Sequence, residues 1–406
     1  MDNRVRRTPT YDRFTIALYV ASSERILDVP LSKVFKDFLV RGVELVWINS
    51  YNYYSLAKHK KLNQYAKAYG VRFILQMVYD RTWGLDEQKM REFIEENVRR
   101  LKGISDSDAV VGWAIGDEVE NFVANLHGEE RERRRRELER GFQRFSDLIR
   151  RLDPRRRVTV NHDRPNPRWM RCGEDESFCT TAYTGALNRG RICELQEEAK
   201  RHGFDDYFVV SQASSVPLGK ENLAWHGMPS VVNDRVLAAR TIAQEIRDYA
   251  ETAYMEGSPG IMYFLYWAGS ENYLPFTLVD ANGDDHLGKW KAVLEASRNI
   301  RRWEGHPDCQ INWPNDNTWA TLPAKVSVNA SSVNHDDQVQ NVEIQVSGDH
   351  GLNWEGLLVT RSDDGSFTVV VAEEPLNSAG TLRVRARALN TRGHSLWDVI
   401  DISVLK

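Results

Sequence analysis

The chain has 406 residues, 41% hydrophobic and 28% charged, with a net charge of −4. That balance leaves room for a large core and excludes both an intrinsically disordered chain and the strongly basic profile of a nucleic-acid binder. No apolar run is long enough to cross a membrane, and the four cysteines (Cys172, Cys179, Cys193 and Cys309) lack both metal-ligand spacing and the density of a disulfide scaffold.

In chain order, eight short strand-like runs alternate with helical segments up to about Glu304. The strands are expected at Arg13–Val20, Val43–Asn49, Arg72–Val78, Val110–Gly116, Arg157–His162, Ser177–Tyr183, Asp206–Ser211 and Gly260–Trp267. Most are apolar without alternation, the pattern of parallel strands covered by helices. Asp86–Leu101, Glu129–Leu152 and Asp234–Glu256 read as amphipathic helices, and the run Arg131 to Arg140, interleaved with Glu, reads as a solvated helix face. Arg164 to Glu176, with two prolines and a glycine, reads as a loop. Eight β-then-α units predict an α/β fold, a (β/α)8 TIM barrel over residues 1–311. A doubly wound sheet is disfavoured because no glycine-rich phosphate loop follows the first strand.

Near Asn312 to Pro323 helical periodicity ends. Beyond it lie short alternating runs at Lys325–Asn329, Val342–Ser347, Leu357–Thr360, Ser366–Val371, Thr381–Leu389 and Val399–Leu405, separated by Gly, Asn and Asp. They predict a small C-terminal all-β sandwich, Ig/fibronectin III-like, over residues 312–406. Trp354 and Trp397 are expected in its core, with sugar stacking as the alternative.

Barrel enzymes carry their chemistry at the carboxyl ends of the strands. Those ends offer Tyr19; Asn49 with Tyr51, Tyr53 and Tyr54; Tyr79, Asp80, Arg81 and Trp83; Asp117 and Glu118; Asn161, His162 and Asp163; Tyr183; Gln212; and Trp267 followed by Glu271 and Asn272. This rim holds carboxylates, amides and aromatics, but no His/Cys cluster for a transition metal and no nucleophile-elbow serine. No cofactor or metal is expected. The chain contains 12 Trp and 15 Tyr, an aromatic supply suited to stacking on the C–H faces of sugars. Tyr51, Tyr54, Trp83, Trp169, Trp225 and Tyr273 are candidate platforms, and Asn49, Asn161, His162 and Glu271 candidate polar contacts. Two carboxylates flanking a glycosidic bond are the simplest chemistry such a rim supports.

The ordered set Trp113…Asp117-Glu118, Tyr183, Ser211-Gln212 and Trp267 resembles the large clan of retaining (β/α)8 glycoside hydrolases, the clan A type, over the first three quarters of the chain. The resemblance implies β-linked substrates and a retaining double displacement. It makes Glu118 at strand four the acid/base, Asp117 a contact to the sugar 2-hydroxyl, Tyr183 a partner of the nucleophile and Trp267 the floor of the cleaved subsite. The segment Leu278–Gly283 and the following Lys289–Ile300 resemble the clan's last loop and helix.

The departure is Gln212, where the clan carries the nucleophile Glu. An amide is neither an anionic nucleophile nor a counter-charge to an oxocarbenium ion. Gln212 therefore reads as a nucleophile position disabled by a Glu-to-Gln change, leaving the chain inactive or strongly impaired. A substrate-assisted N-acetylhexosaminidase using Asp117-Glu118, and a glycan-binding barrel without catalysis, stand as alternatives. The expected partner is an oligo- or polysaccharide, with no nucleic acid and no membrane. The N-terminal MDNRVRRTPT lacks the apolar stretch of a secretory signal, so a secreted or periplasmic location requires a signal already removed, and a cytoplasmic one is expected otherwise.

Overall fold

The computed structural model describes residues 14–20, 29–48, 56–102, 107–116, 122–123, 125–162, 176–180, 207–212, 235–255, 257–264 and 277–405 except 334–335, 363–364 and 372–379, with residues 26, 194, 197–198, 201 and 266. Eight strands lead the chain: β1 (Thr15–Val20), β2 (Val43–Ile48), β3 (Arg72–Gln76), β4 (Val110–Gly116), β5 (Arg157–His162), β6 (Glu176–Thr180), β7 (Tyr207–Gln212) and β8 (Gly260–Phe264). Each pairs in parallel with the next, and β1 pairs back onto β8, from Thr15 opposite Gly260 to Leu18 opposite Tyr263, closing the sheet. Six described helices follow strands of this set: α1 (Leu31–Val40), α2 (Leu56–Tyr69), α3 (Glu87–Lys102), α4 (Gly128–Leu152), α5 (Arg235–Met255) and α6 (Lys289–Trp303).

The period of two along each strand sorts side chains into two layers. One set (Ala17, Tyr19, Leu45, Trp47, Ile74, Ala114 and Met262) packs as its own cluster in the lumen. The alternate set, including Leu18, Val46, Phe73, Leu75 and Trp113, packs outward against the helices. Burial on both faces is why the strands lack alternation in sequence. Trp113 belongs to the outer layer, and its indole Nε1 donates to Asp153 Oδ2 at 2.9 Å, at the C-cap of α4. Asp153 is also paired with Arg156 Nη1 at 2.8 Å, and Arg156 Nε donates to the Val110 carbonyl, so this network ties α4 to the start of β4. Trp113→Phe keeps the packed ring and removes one donor from a buried carboxylate. It should lower unfolding free energy by about 1–2 kcal/mol in urea titration.

The remaining strands are antiparallel with one exception. Strands β9 (Asp308–Trp313), β11 (Ala324–Ser331), β14 (Thr360–Arg361) and β15 (Phe367–Val371) form one sheet. Strands β10 (Thr318–Thr321), β12 (Asn341–Ser347), β13 (Glu355–Leu357), β16 (Thr381–Asn390), β17 (Gly393–His394) and β18 (Asp398–Leu405) form the other, in which β10 pairs β18 in parallel. Val326, Val328, Ile344, Val369, Leu382, Val384 and Ile402 close the apolar layer between the sheets. Strand β9 lies across the expected boundary at residues 311 and 312, because Ile311 already packs in this second core.

The two parts meet at Arg383 on β16. Its guanidinium holds Asp401 through Nε at 2.6 Å and Nη2 at 3.0 Å, while Nη1 donates to Ser32 O at 2.7 Å, Tyr69 Oη at 2.8 Å and His350 O at 3.2 Å. Lys36 on α1 reaches Asp401 as well, at 3.0 Å. The His350 turn is built by Asp349, which accepts N–H bonds from Leu352 and Asn353, and by Gly351, whose φ of 90° and contact with the Tyr69 hydroxyl leave no room for a Cβ. Beside it, Arg385 lies between Trp354 and Trp397, with its guanidinium carbon 3.9 and 4.4 Å from the two ring centroids. Both indoles pack against the barrel's hydrophobic cluster, so their ring faces serve packing.

Candidate active site at the carboxyl ends of the barrel strands

The carboxyl ends of β1 to β8 fall at Val20, Ile48, Gln76, Gly116, His162, Thr180, Gln212 and Phe264, on one edge of the closed sheet. The top of the lumen just inside that edge is built by Tyr19, Trp47 and Gln76. Tyr19 and Trp47 meet at 5.8 Å between ring centroids, with planes 36° apart. Gln76 is 6% exposed and its Oε1 has no hydrogen-bond partner. A buried acceptor without a donor costs roughly 1–3 kcal/mol, so evolution keeps one only where something else returns the bond. The described top of the lumen is therefore a closed layer, in which Tyr19 and Trp47 are buried core rings and Gln76 carries one open amide oxygen. Gln76→Met should raise unfolding free energy by about 1 kcal/mol by removing the orphaned acceptor. Urea titration of the variant beside the parent reads the effect.

The expected site residues distribute unevenly over the described structure. Gln212 is the last residue of β7, its backbone in register with Phe264, and Asn161 and His162 end β5 in register with Phe178 and Cys179. The side chains of these three residues lie outside the described residues. Gly116, immediately before Asp117-Glu118, is the last residue of β4. Asp117, Glu118, Asn49, Tyr51, Tyr54, Trp169, Tyr183, Trp225, Trp267, Glu271 and Tyr273 lie outside the described residues.

Trp83 is corrected. Asp80 accepts from Thr82 N at 2.8 Å and starts the 3-10 turn Arg81–Trp83, which swings the indole out from the strand end. The ring then packs on Phe93 of α3 at 5.1 Å, Phe145 of α4 at 6.0 Å and Tyr79 at 6.2 Å. Two of its partners are helix residues outside the barrel and the third, Tyr79, joins the same cluster, so the Trp83 ring serves packing. Tyr79 joins the same cluster, 5.0 Å from Phe142, and its hydroxyl donates to Gly84 O. Burial pushes that phenol above its ordinary pKa. The close approach of Tyr79 to α4 uses Gly141, where any Cβ would sit 2.2 Å from the hydroxyl.

Trp47 and Gln76 were not singled out from sequence. The signal was present: each shares strand parity with lumen residues, Trp47 with Leu45 and Gln76 with Ile74, and each stands at or next to a strand end. Among the described residues no group of three or more His, Cys, Asp or Glu is arranged to hold a metal ion.

No protein-family model and no curated protein matches the chain. Solved structures do. Beta-glucuronidase from Bacteroides uniformis aligns with a TM-score of 0.52 at 12% identity, covering 98% of this chain and 46% of that one. An FMN-binding beta-glucuronidase from Facaelibacterium prausnitzii aligns with a TM-score of 0.51 at 12% identity, covering 98% and 57%. An endo-beta-1,4-mannanase from Thermotoga petrophila aligns over 98% of both chains at 12% identity, with a TM-score of 0.48. The chain thus spans about half the length of the two beta-glucuronidases. What is shared at this identity is a fold that glycoside hydrolases use.

Proposed function

We propose that the chain is a glycoside hydrolase built on a (β/α)8 barrel with an Ig- or fibronectin III-like sandwich, acting on β-linked glycans by a retaining double displacement. One observation carries the reading. Strands β4 and β7 belong to one closed parallel sheet and end on the same edge, β4 at Gly116 just before Asp117-Glu118 and β7 at Gln212. The two strand ends, Gly116 and Gln212, lie 96 positions apart in the numbering and on one edge of the sheet, with only β5 and β6 between them. The folds it shares with two proteins named beta-glucuronidases support the same class of chemistry.

In this mechanism Glu118, protonated, donates to the glycosidic oxygen as the bond to the anomeric carbon breaks. A carboxylate at position 212 takes that carbon and forms a glycosyl ester. Glu118, now ionised, then draws a proton from water as its oxygen displaces the ester with a second inversion. Asp117 contacts the 2-hydroxyl. With an amide at Gln212 the ester does not form, so the chain binds glycans and turns them over poorly. An acetamido group on the substrate would replace the missing nucleophile from within.

Aryl β-glycosides of glucose, galactose, mannose, glucuronic acid and N-acetylglucosamine, assayed with the chain and with Gln212→Glu, separate the possibilities. Activity of the variant alone supports the proposal. Activity of the unchanged chain confined to N-acetylglucosaminide moves the assignment to substrate assistance, and oligosaccharide binding with no turnover in either protein moves it to a binding module.

A further inference from the structure

The sheet formed by β14, β15, β11 and β9 has one face in the sandwich core and one face outside it. Along β11 the parity is regular: Val326 and Val328 are buried in the core, while Lys325, Ser327 and Asn329 alternate with them and point outward. Strand β9 pairs with β11 as Gln310 opposite Asn329 and Ile311 opposite Val328. The register then slips by one residue, so that Trp313 stands opposite Ser327. Without the slip Trp313 would share the inward parity of Ile311. With it, the indole belongs to the outer face and is 56% exposed. A bulge that turns a tryptophan out of an apolar layer forgoes the burial of the largest side chain, which packing alone does not explain. Ser327, Thr368 and Thr360 continue the same row across β11, β15 and β14, and Ser362 Oγ lies 3.4 Å from Thr368 Oγ1.

Where α6 passes the start of β9, this face runs into a cavity of about 580 Å³, within the roughly 300–1,000 Å³ usual for ligand sites. Arg298 and Arg302 of α6 wall one side, and Asp308, Gln310, Asn329 and Ser366 the other. Arg302 Nε donates to Asp308 Oδ2 at 2.9 Å, so that pair neutralises itself. Gln310 and Asn329 make no side-chain hydrogen bond among the described residues, which leaves two amides able both to donate and to accept. Trp313 is three residues beyond Gln310 on the same strand, about 10 Å away. The cavity and the indole are therefore two ends of one surface. It is remote from the barrel mouth. Glu304, one residue past α6, accepts the Phe14 N–H at 3.1 Å just before β1 begins, so β9 departs from the amino edge of the barrel. The candidate catalytic edge lies a strand length away, at the opposite end.

The groups on this surface fix the class of occupant. Besides the Arg302–Asp308 pair, its charges are Arg298 and Lys325, too few and too far apart to follow a phosphate backbone. Trp313 and Val370 are the large apolar side chains exposed on β9, β11 and β15, less than the apolar centre that a protein partner or a second copy needs. One flat ring among amides and hydroxyls matches a sugar, whose C–H face stacks on the indole while its hydroxyls exchange hydrogen bonds with the amides. We infer that the outer face of this sheet binds a neutral polysaccharide chain, with Trp313 stacking on one residue and Gln310 and Asn329 holding the residues that lead into the cavity. The site holds the polymer and takes no part in bond cleavage. Its existence does not depend on what the mouth catalyses.

The test is affinity electrophoresis of the full chain through native gels containing hydroxyethylcellulose, glucomannan, xylan or the acidic polygalacturonate. At least one neutral polymer should retard the chain. Trp313→Ala should weaken that retention by about tenfold through lost ring burial and stacking. Gln310→Ala/Asn329→Ala should weaken it by about tenfold as well. All three side chains are exposed, so neither variant should shift the melting temperature by more than about a degree or two. The amide variant serves alone if Trp313→Ala unfolds. In the Gln212→Glu background, Trp313→Ala should leave kcat/KM on an aryl β-glycoside unchanged and slow attack on the polymer. Retention untouched by both sets of substitutions belongs to the mouth and overturns the site, as does retardation by polygalacturonate alone or by no polymer. A Trp313-dependent dimer in sedimentation without polysaccharide assigns the face to a second copy and likewise overturns it. Trp313-dependent retention with no hydrolysis by Gln212→Glu keeps this site and removes the hydrolase, so the two failures are distinct.

Discussion

Gln212→Glu should raise kcat/KM on an aryl β-glycoside by about 10^3-fold or more, in keeping with the cost of removing a nucleophile that acts as a unit with its partners. The substitution exchanges one NH2 for O⁻, preserves volume and leaves the strand pairing of β7 to β8 at Phe264 untouched. Any gain is therefore chemical and not structural. A second change separates the two roles: Glu118→Ala in that background should cost about 10^2 to 10^4-fold, the usual share of a general acid. The loss should be smallest on substrates whose leaving group needs no proton. The gain should also come with a bell-shaped pH profile, its acid limb set by the introduced carboxylate and its alkaline limb by Glu118. An unchanged rate with Gln212→Glu across the aryl glycoside panel would reject the assignment of strand seven as the nucleophile strand.

Arg383→Met should destabilise the fold by about 3 kcal/mol, the lower end of what removing one partner from a buried ion pair costs, because Lys36 still faces Asp401. Methionine keeps the volume of the stem but leaves the Ser32 carbonyl and the Tyr69 hydroxyl without their donor. The effect should fall on the junction: chemical denaturation followed at several wavelengths should split into two transitions as the barrel and the sandwich uncouple. Acid should act through the same pair. Burial alone would raise the Asp401 carboxyl, but the hydrogen bonds and charge of Arg383, then Lys36, hold it below its ordinary value. A carboxyl depressed in the folded state contributes stability that is complete above its unfolded value, near pH 4, and is lost as pH falls through the depressed one. The difference between Arg383→Met and the parent should therefore narrow below about pH 4. A constant difference down to pH 2 would assign the effect to packing.

The barrel strands were legible because parallel strands are buried on both faces and so appear as uninterrupted apolar runs of five to seven residues, such as Val110–Gly116. Strand β9 was not, since Asp308–Trp313 buries only Ile311 and exposes half of its residues. At the mouth, sequence placed the ends of β4 and β7 at or next to Gly116 and Gln212, because a strand end is a sequence-local event. It misplaced Trp83, whose position depends on Phe93 and Phe145 from helices further along the chain. It passed over Trp47 and Gln76, because the runs expected for β2 and β3 extend to Asn49 and Val78, past the observed ends at Ile48 and Gln76, and apolar runs conceal which parity faces the lumen. The arginines of α4 looked like a solvated face as a group. Only the helical period, anchored on Leu138 and Phe142, sets Arg131, Arg134 and Arg135 on the side of the buried residues.

The pairing of Thr15 with Gly260 has a consequence for biosynthesis. The first strand leaves the ribosome early, yet one of its two neighbours is made some 245 residues later, so that edge stays unpaired while most of the barrel is translated. An open edge of this kind can pair with other chains until β8 is made, so the closing strand removes the last free edge of the sheet.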